Sequence, residues 1–370
     1  MSKLLIHIGP PKTGSTQLQK LFNSNSTVLR DRSIDYIQCK PKKQIRSYFR
    51  AYKKINRWKL RNRNPLQPWY LDCPDSYFFK KSSNDNAIIS EEALFKLVEY
   101  NDEISAFDKF LSSSYSNRLY LAVLREVNGH AISQISQSIK GVRRFDYKNC
   151  LGRLKHFSLD AGFLGIINTS LDLEVATFSD LVVDPECTKN TSLLLENFFG
   201  VPNIGLKAIE GVRNASLGAE GTAAHMAYNN IIRLIMGGEK LHQLRQHIIP
   251  FARQFRSELL EQFPNQKKFC PYTKDEQSKF CEPQLAKSRK FIKRFPGNWI
   301  DSVFTPVIQE KKIMFISEFD GNDRKIMLDF IEDSIHEVAN EPCFKLDAMS
   351  STKISEAVSF FIKNERNLVL

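Results

Sequence analysis

Apolar positions fall in short unbroken blocks through the first half of the chain and at helical spacing through the second. Lys3 to Gly9 carries Leu4, Leu5, Ile6 and Ile8, the pattern of a strand buried on both faces. A tight Gly/Pro loop follows. Leu18, Leu21 and Phe22 then recur at helical spacing, so a helix begins near Ser15 or Thr16, either of which can cap it. Ala87-Ile-Ile-Ser90 is a second short apolar run, and the sequence turns helical from Glu91. Arg118 to Leu124 is the clearest strand, rich in aromatic and branched residues, and leads through Arg125 into a helix over 127–140. Leu173 to Phe178 predicts a further strand, followed by a helix that starts at Asp184-Pro185 and stops near Phe199-Gly200. Beyond Ala223 the pattern becomes long and amphipathic, over 231–263, 284–295, 324–338 and 352–364.

Strands that alternate with helices predict a parallel sheet with crossover connections. The expected architecture is a three-layer α/β fold on a central parallel sheet, plus a helical C-terminal region. Residues 1–221 read as the core, and residues 222–370 as a helical extension packed on it. The 370 residues suffice for this, and 42% hydrophobic with 25% charged residues is the balance of a folded domain, not of a disordered chain. No apolar run reaches bilayer length, and Leu4 to Ile8 is too short for a signal peptide, so the chain reads as cytoplasmic. Seven cysteines are scattered without a C-x-x-C pair, which argues for isolated thiols in a reducing compartment.

The net charge of +12 is unevenly distributed. Between Asp35 and Asp72 there is no acidic residue, and eleven cations run from Lys40 to Arg63. Ile45, Phe49, Tyr52 and Ile55 fall at helical spacing in this stretch, leaving the cations on the other side. Such a segment attracts acidic substrates or anionic surfaces, or is a solvated helix face.

The loop Gly9-Pro-Pro-Lys-Thr-Gly-Ser-Thr16 is the most informative stretch. Gly9 and Gly14 are separated by four residues, as in the nucleotide loop G-x-x-x-x-G-K-[ST], whose backbone amides cradle phosphates. Here Ser15 stands where that lysine belongs, and the lysine comes earlier, at Lys12. A nucleoside-triphosphate enzyme needs its lysine on the β- and γ-phosphates and a hydroxyl on Mg²⁺. A donor with one 5′-phosphate and a terminal sulfuryl group carries less charge, and a lysine with backbone donors serves it without a metal. The histidines show no H-E-x-x-H pattern, and no metal ligand set is apparent.

Lys12-Thr13-Gly14-Ser15-Thr16 between a strand and a helix resembles the 5′-phosphosulfate-binding loop of sulfotransferases that use 3′-phosphoadenosine 5′-phosphosulfate (PAPS). The longer run from His7 to Gln19 is similar to bacterial carbohydrate-type members. The resemblance implies a P-loop-containing fold in which Pro11 belongs to the donor loop and Lys12 meets the oxygen bridging phosphate and sulfur. The amides of Thr13, Gly14, Ser15 and Thr16, with the Ser15 and Thr16 hydroxyls, would hold the 5′-phosphate at a helix N-terminus. It also implies that Arg125, closing a later strand, and Ser133, eight residues on, bind the 3′-phosphate. The segment from Thr177 to Pro185, with Phe198 to Val201, resembles a later strand-to-helix segment of the family. Arg213 to Leu217 reads either as a loop closing over the adenosine or as a helix cap.

Transfer to a hydroxyl needs a base for the acceptor's proton. By the family pattern Glu92, after Ser90-Glu91, is the expected base; Glu91 and His7 are the alternatives, and adjacent carboxylates raise each other's pKa. The implied activity is sulfuryl transfer from PAPS to a hydroxyl or amine, with a glycan or glycolipid as acceptor and the basic segment 40–63 beside the acceptor cleft or on an anionic surface. No specific nucleic acid partner is implied. The competing readings are a P-loop small-molecule kinase and a non-catalytic polyanion-binding protein.

Overall fold

The computed structural model describes residues 1–10, 12–37, 84–96, 98–99, 101–140, 158–183, 186–209, 218–263, 266, 268–311, 315–340 and 351–369. Pro11, the basic segment 40–63, Asp184-Pro185 and Arg213 to Leu217 lie outside the described residues.

The five strands are β1 (Lys3–His7), β2 (Ile34–Ile37), β3 (Asn86–Ser90), β4 (Asn117–Leu124) and β5 (Leu173–Thr177). They form one sheet in the order β2-β3-β1-β4-β5, parallel throughout, as the alternation of strands and helices requires. Four of these strands are the apolar blocks of the sequence. The edge strand β2 was not expected, because its four residues include Asp35 and Tyr36 and make no apolar run.

The helices are α1 (Ser15–Ser24), α2 (Ser26–Asp31), α3 (Asn101–Ser112), α4 (Val127–Lys140), α5 (Leu159–Gly162), α6 (Leu164–Ile167), α7 (Cys187–Phe199), α8 (Ala219–Met236), α9 (Gly238–Gln262), α10 (Lys274–Ala286), α11 (Arg289–Arg294), α12 (Trp299–Phe304), α13 (Gly321–Ala339) and α14 (Ser351–Val369). The pattern over 231–263, continuous in sequence, is two helices: the chain breaks at Gly237, where φ is 74°.

Contacts divide the chain into two compact units. One comprises Met1–Val127, Ser158–Arg213 and Cys281–Pro306; the other comprises Asn128–Phe157, Asn214–Phe280 and Val307–Leu370.

The first unit holds the sheet, and alternation along each strand sends side chains to both faces. Leu5, Ile88, Leu121 and Val123 pack on one face with Leu18, Leu21 and Phe22 of α1 and Leu195 and Phe199 of α7. On the other face Asp108 of α3 accepts from Arg118 Nε at 2.8 Å, Arg118 Nη2 at 2.7 Å and the Tyr120 hydroxyl at 3.2 Å. This two-toothed ion pair fixes α3 against β4 and leaves neither charge alone.

The second unit is built around α8, whose residues from Gly221 to Ile232 are all buried. A helix buried on every side needs neighbours on every side, and α9, α13 and α14 pack around it. Tyr228 stacks on Phe255 at 4.6 Å, and Phe255 on Phe330 at 4.9 Å. Among the described residues no helix is long and apolar enough to cross a membrane.

Candidate functional site

The strand order places a switch point at β1. The chain leaves β1 toward β3 and β2, returns past β1 to β4, and continues outward to β5. Beyond the carboxyl ends of β1 and β4 the connections therefore diverge, and in open parallel sheets this is where the crevice forms. The loop after β1 and Arg125 after β4 both start from that edge.

The loop is shaped by close approach. Ile8 N still donates to Leu121 O at 2.9 Å, which carries sheet pairing to the loop's first residue. A Cβ on Gly9 would lie 2.9 Å from both His7 Nε2 and Thr13 Oγ1, so only glycine fits there. Thr13 is buried, and its hydroxyl turns inward to donate to Pro10 O at 2.7 Å. Lys12 has φ of 74°, a left-handed backbone that costs a non-glycine residue energy and recurs at functional loops. Gly14 follows with φ of 85°, and its carbonyl accepts from Gln17 N at 2.8 Å and Leu18 N at 3.1 Å.

Gly14 is thus the N-cap of α1. The expected cap from Ser15 or Thr16 is not found: Ser15 is the first helical residue, and no side chain caps the helix. The reason is the left-handed turn at Gly14, which carries Ser15 past the capping position. The first amides of α1 have no intrahelical partner and sit at the positive end of the helix dipole. Ser15 is 2% exposed, and its hydroxyl makes no hydrogen bond. Thr16 faces outward.

Phe178, just after β5, joins this loop to Arg125. Its Cε2 would lie 2.9 Å from a Cβ on Gly14, and the Arg125 guanidinium stacks over its ring at 4.5 Å from the centroid. Val182, on a π-turn over Ser179–Val183, closes on Gly14 from the same side. Arg125 makes no hydrogen bond or ion pair among the described residues. Burial lowers its pKa, opposed in part by Glu126 nearby. A desolvated guanidinium with uncommitted donors has hydrogen bonds to offer an anion. Phe178 was not singled out from the sequence; an aromatic residue after a strand looks like core until the neighbouring strand is known.

The β1–β3 side holds the acid–base candidates. His7 and Ser90 are register partners on one face, and His7 Nδ1 lies 2.7 Å from Ser90 Oγ. His7 is fully buried, and desolvation lowers its pKa to about 4, so the imidazole is neutral near pH 7. Its Nε2 makes no hydrogen bond. Glu91 is 2% exposed and continues the β3 pairing through its N–H to His7 O at 3.3 Å. Glu92 is half-buried and opens a 3₁₀ turn over Glu92–Lys96. The two neighbouring carboxylates therefore differ: one is enclosed and one is accessible.

Lys12, Thr13, Gly14, Ser15, Thr16, Glu92 and Arg125 all belong to the first unit, whereas Ser133, half-buried on α4, is in the second. A groove of about 600 Å³ is lined by Glu186, Lys189, Glu196 and Leu206 among others, on α7 and the segments either side of it; none of its lining residues is in the loop.

The chain matches no protein-family model, and no curated protein or solved structure is similar to it at a significant level.

Proposed function

We propose that this chain is a sulfotransferase, a P-loop-containing three-layer α/β protein that transfers the sulfuryl group of PAPS to a hydroxyl or amine of a glycan or glycolipid. The observation that carries the reading is the pairing of an uncapped α1 N-terminus, behind the Lys12–Gly14 turn, with Arg125, held on Phe178 without a hydrogen-bond partner among the described residues. Two anion-binding elements joined by one aromatic ring suit a donor with two separate anionic groups. The buried hydroxyl of Ser15 offers a further donor at the same helix start.

In this reading the α1 amides hold the 5′-phosphate and Arg125 takes the 3′-phosphate. The acceptor oxygen forms a bond to sulfur as the bond from sulfur to the 5′-phosphate oxygen breaks. Lys12 neutralises the charge left on that oxygen. The acceptor's proton passes to a carboxylate, and Glu92 is preferred because it is accessible at the carboxyl end of β3. His7 is the weaker choice: it is enclosed, and its lowered pKa reduces its basicity.

The test is direct. Full-length protein binds adenosine 3′,5′-bisphosphate in the presence of a chelator, and transfers label from sulfur-labelled PAPS to a member of a glycan and glycolipid panel. Glu92→Gln keeps the bisphosphate affinity and loses transfer by roughly a hundredfold or more. Failure of the wild-type chain to bind the bisphosphate ends the proposal, and unchanged turnover in Glu92→Gln removes that residue from the chemistry.

A further inference from the structure

His7 has no part in the transfer described above, yet it is the most enclosed ionisable group at the site. Its two ring nitrogens have different circumstances. Nδ1 is held by Ser90 Oγ at 2.7 Å, across the β1–β3 register. Nε2 is buried and makes no hydrogen bond. An orphaned nitrogen of this kind costs about 1–3 kcal/mol and calls for a reason.

The surroundings supply one. Nε2 and Thr13 Oγ1 each lie 2.9 Å from the single point that a Cβ on Gly9 would occupy. The donor loop is therefore folded around the edge of the imidazole, and glycine at position 9 is what lets it approach. Thr13 Oγ1 already donates to Pro10 O at 2.7 Å, so it has lone pairs but no further proton to give. The complementary partner is an N–H. If Ser90 donates its hydroxyl proton to Nδ1, the proton of the neutral ring sits on Nε2, facing the loop.

We propose that His7 is a positioning residue for the donor loop: when an anion seats on the first amides of α1, Nε2–H donates to Thr13 Oγ1 and completes a hydrogen-bonded chain from Ser90 through His7 and Thr13 to the Pro10 carbonyl. The chain ties the loop after β1 to the end of β3, one residue before Glu91-Glu92. Loop closure over the anion and the placement of the acidic pair are then parts of one polarised network. The inference rests on the donor-loop reading, though the link itself needs only an anion.

Two measurements on the full-length chain test it. In the first, ¹⁵N-labelled histidine side chains are followed by NMR while adenosine 3′,5′-bisphosphate or inorganic phosphate is added. The His7 Nε2 signal moves on saturation in the wild type and stays in place in Thr13→Val. In the second, His7→Asn and Thr13→Val each weaken bisphosphate binding by about three- to tenfold, the loss of one hydrogen bond. The double variant loses no more than either alone, and His7→Gln, whose amide reaches toward the Nε2 position, recovers most of the affinity. A purely structural role predicts additive losses.

An Nε2 signal unmoved by a bisphosphate that does bind, or losses that add, overturns the inference and leaves the donor reading standing. If the bisphosphate does not bind but phosphate moves Nε2, the donor reading falls and the His7 link holds. If neither anion binds, both fall. Should His7→Asn fail to fold, Thr13→Val carries the comparison.

Discussion

Arg125 is where burial and charge meet most sharply. A guanidinium loses hydration when it stacks on a ring, and without a hydrogen-bond partner that loss is recovered only when a ligand arrives. Arg125→Ala is expected to weaken adenosine 3′,5′-bisphosphate binding by roughly ten- to a hundredfold, the worth of hydrogen bonds to a charged group. Binding of adenosine 5′-phosphate, which has no 3′-phosphate, stays the same. Calorimetry with the two nucleotides reads the difference, and equal losses for both assign Arg125 to the fold instead. Gly14 is constrained twice, by φ of 85° and by Val182 and Phe178 against its α-carbon. Gly14→Ala therefore costs more than the roughly 1–2 kcal/mol of left-handed strain, and a thermal melt with a bisphosphate titration shows both losses. Both residues stand out in the sequence, one in a glycine loop and one at a strand end. Phe178, which joins them, does not, because nothing local marks a ring that stacks across a neighbouring strand.

The secondary-structure elements follow the sequence where burial is complete and depart from it where a few backbone angles decide. Strands β1, β3 and β4 each hold an unbroken apolar run because α/β crossovers bury both faces, so composition alone betrays them. β2 is an edge strand of four residues, half-covered, and has no such signature. The helical period runs across Gly237 without a gap, since periodicity records which face is buried and not whether the axis is continuous. One long-range cap is equally invisible in sequence. The Glu365 carboxylate, 4% exposed, accepts from Ile316 N at 2.6 Å and Ser317 N at 3.0 Å. It ties α14 to the 3₁₀ turn over Ile316–Glu318. Glu365→Ala leaves two amides unsatisfied and is expected to destabilise the second unit by about 1–3 kcal/mol in urea melts, with Glu365→Gln costing less. Equal stability of Glu365→Ala and wild type would show the cap to be replaced by water.

At the scale of the whole molecule, two histidines among the described residues are completely buried, one in each unit, and both react to acid in the same direction. His7 and His225 are fully buried, and desolvation takes each from 6.5 to about 4. His225 sits edge-on to Tyr228 and Phe255, with Nε2 3.3 Å from Ala252 O. Both folded-state values lie below the unfolded value, so in the window between pH 6.5 and about 4 the unfolded chain binds protons that the native chain refuses. Stability is therefore full above pH 6.5 and falls as pH drops, by on the order of 3 kcal/mol per histidine across the window. Urea melts at pH 7.5 and 5.0 measure the fall. His225→Phe keeps an aromatic ring and removes the titration, so its second unit should lose less stability on acidification than the wild type; the same loss in both would exclude His225 as the source.

Four of the five strands, the parallel sheet and the position of the glycine loop were contained in the one-dimensional pattern, since hydrophobic burial imposes its period directly on the chain. The pattern also carried the glycines, the lysine and the hydroxyl residues of the loop after β1. It did not carry the ring that joins Gly14 to Arg125, the imidazole beneath Gly9, the difference in exposure between Glu91 and Glu92, or the assignment of Arg125 and Ser133 to different compact units. Those depend on which strands become neighbours and on how far a side chain is drawn from water. Such distances and desolvation costs arise between residues remote in sequence, so they exist only once the chain has folded.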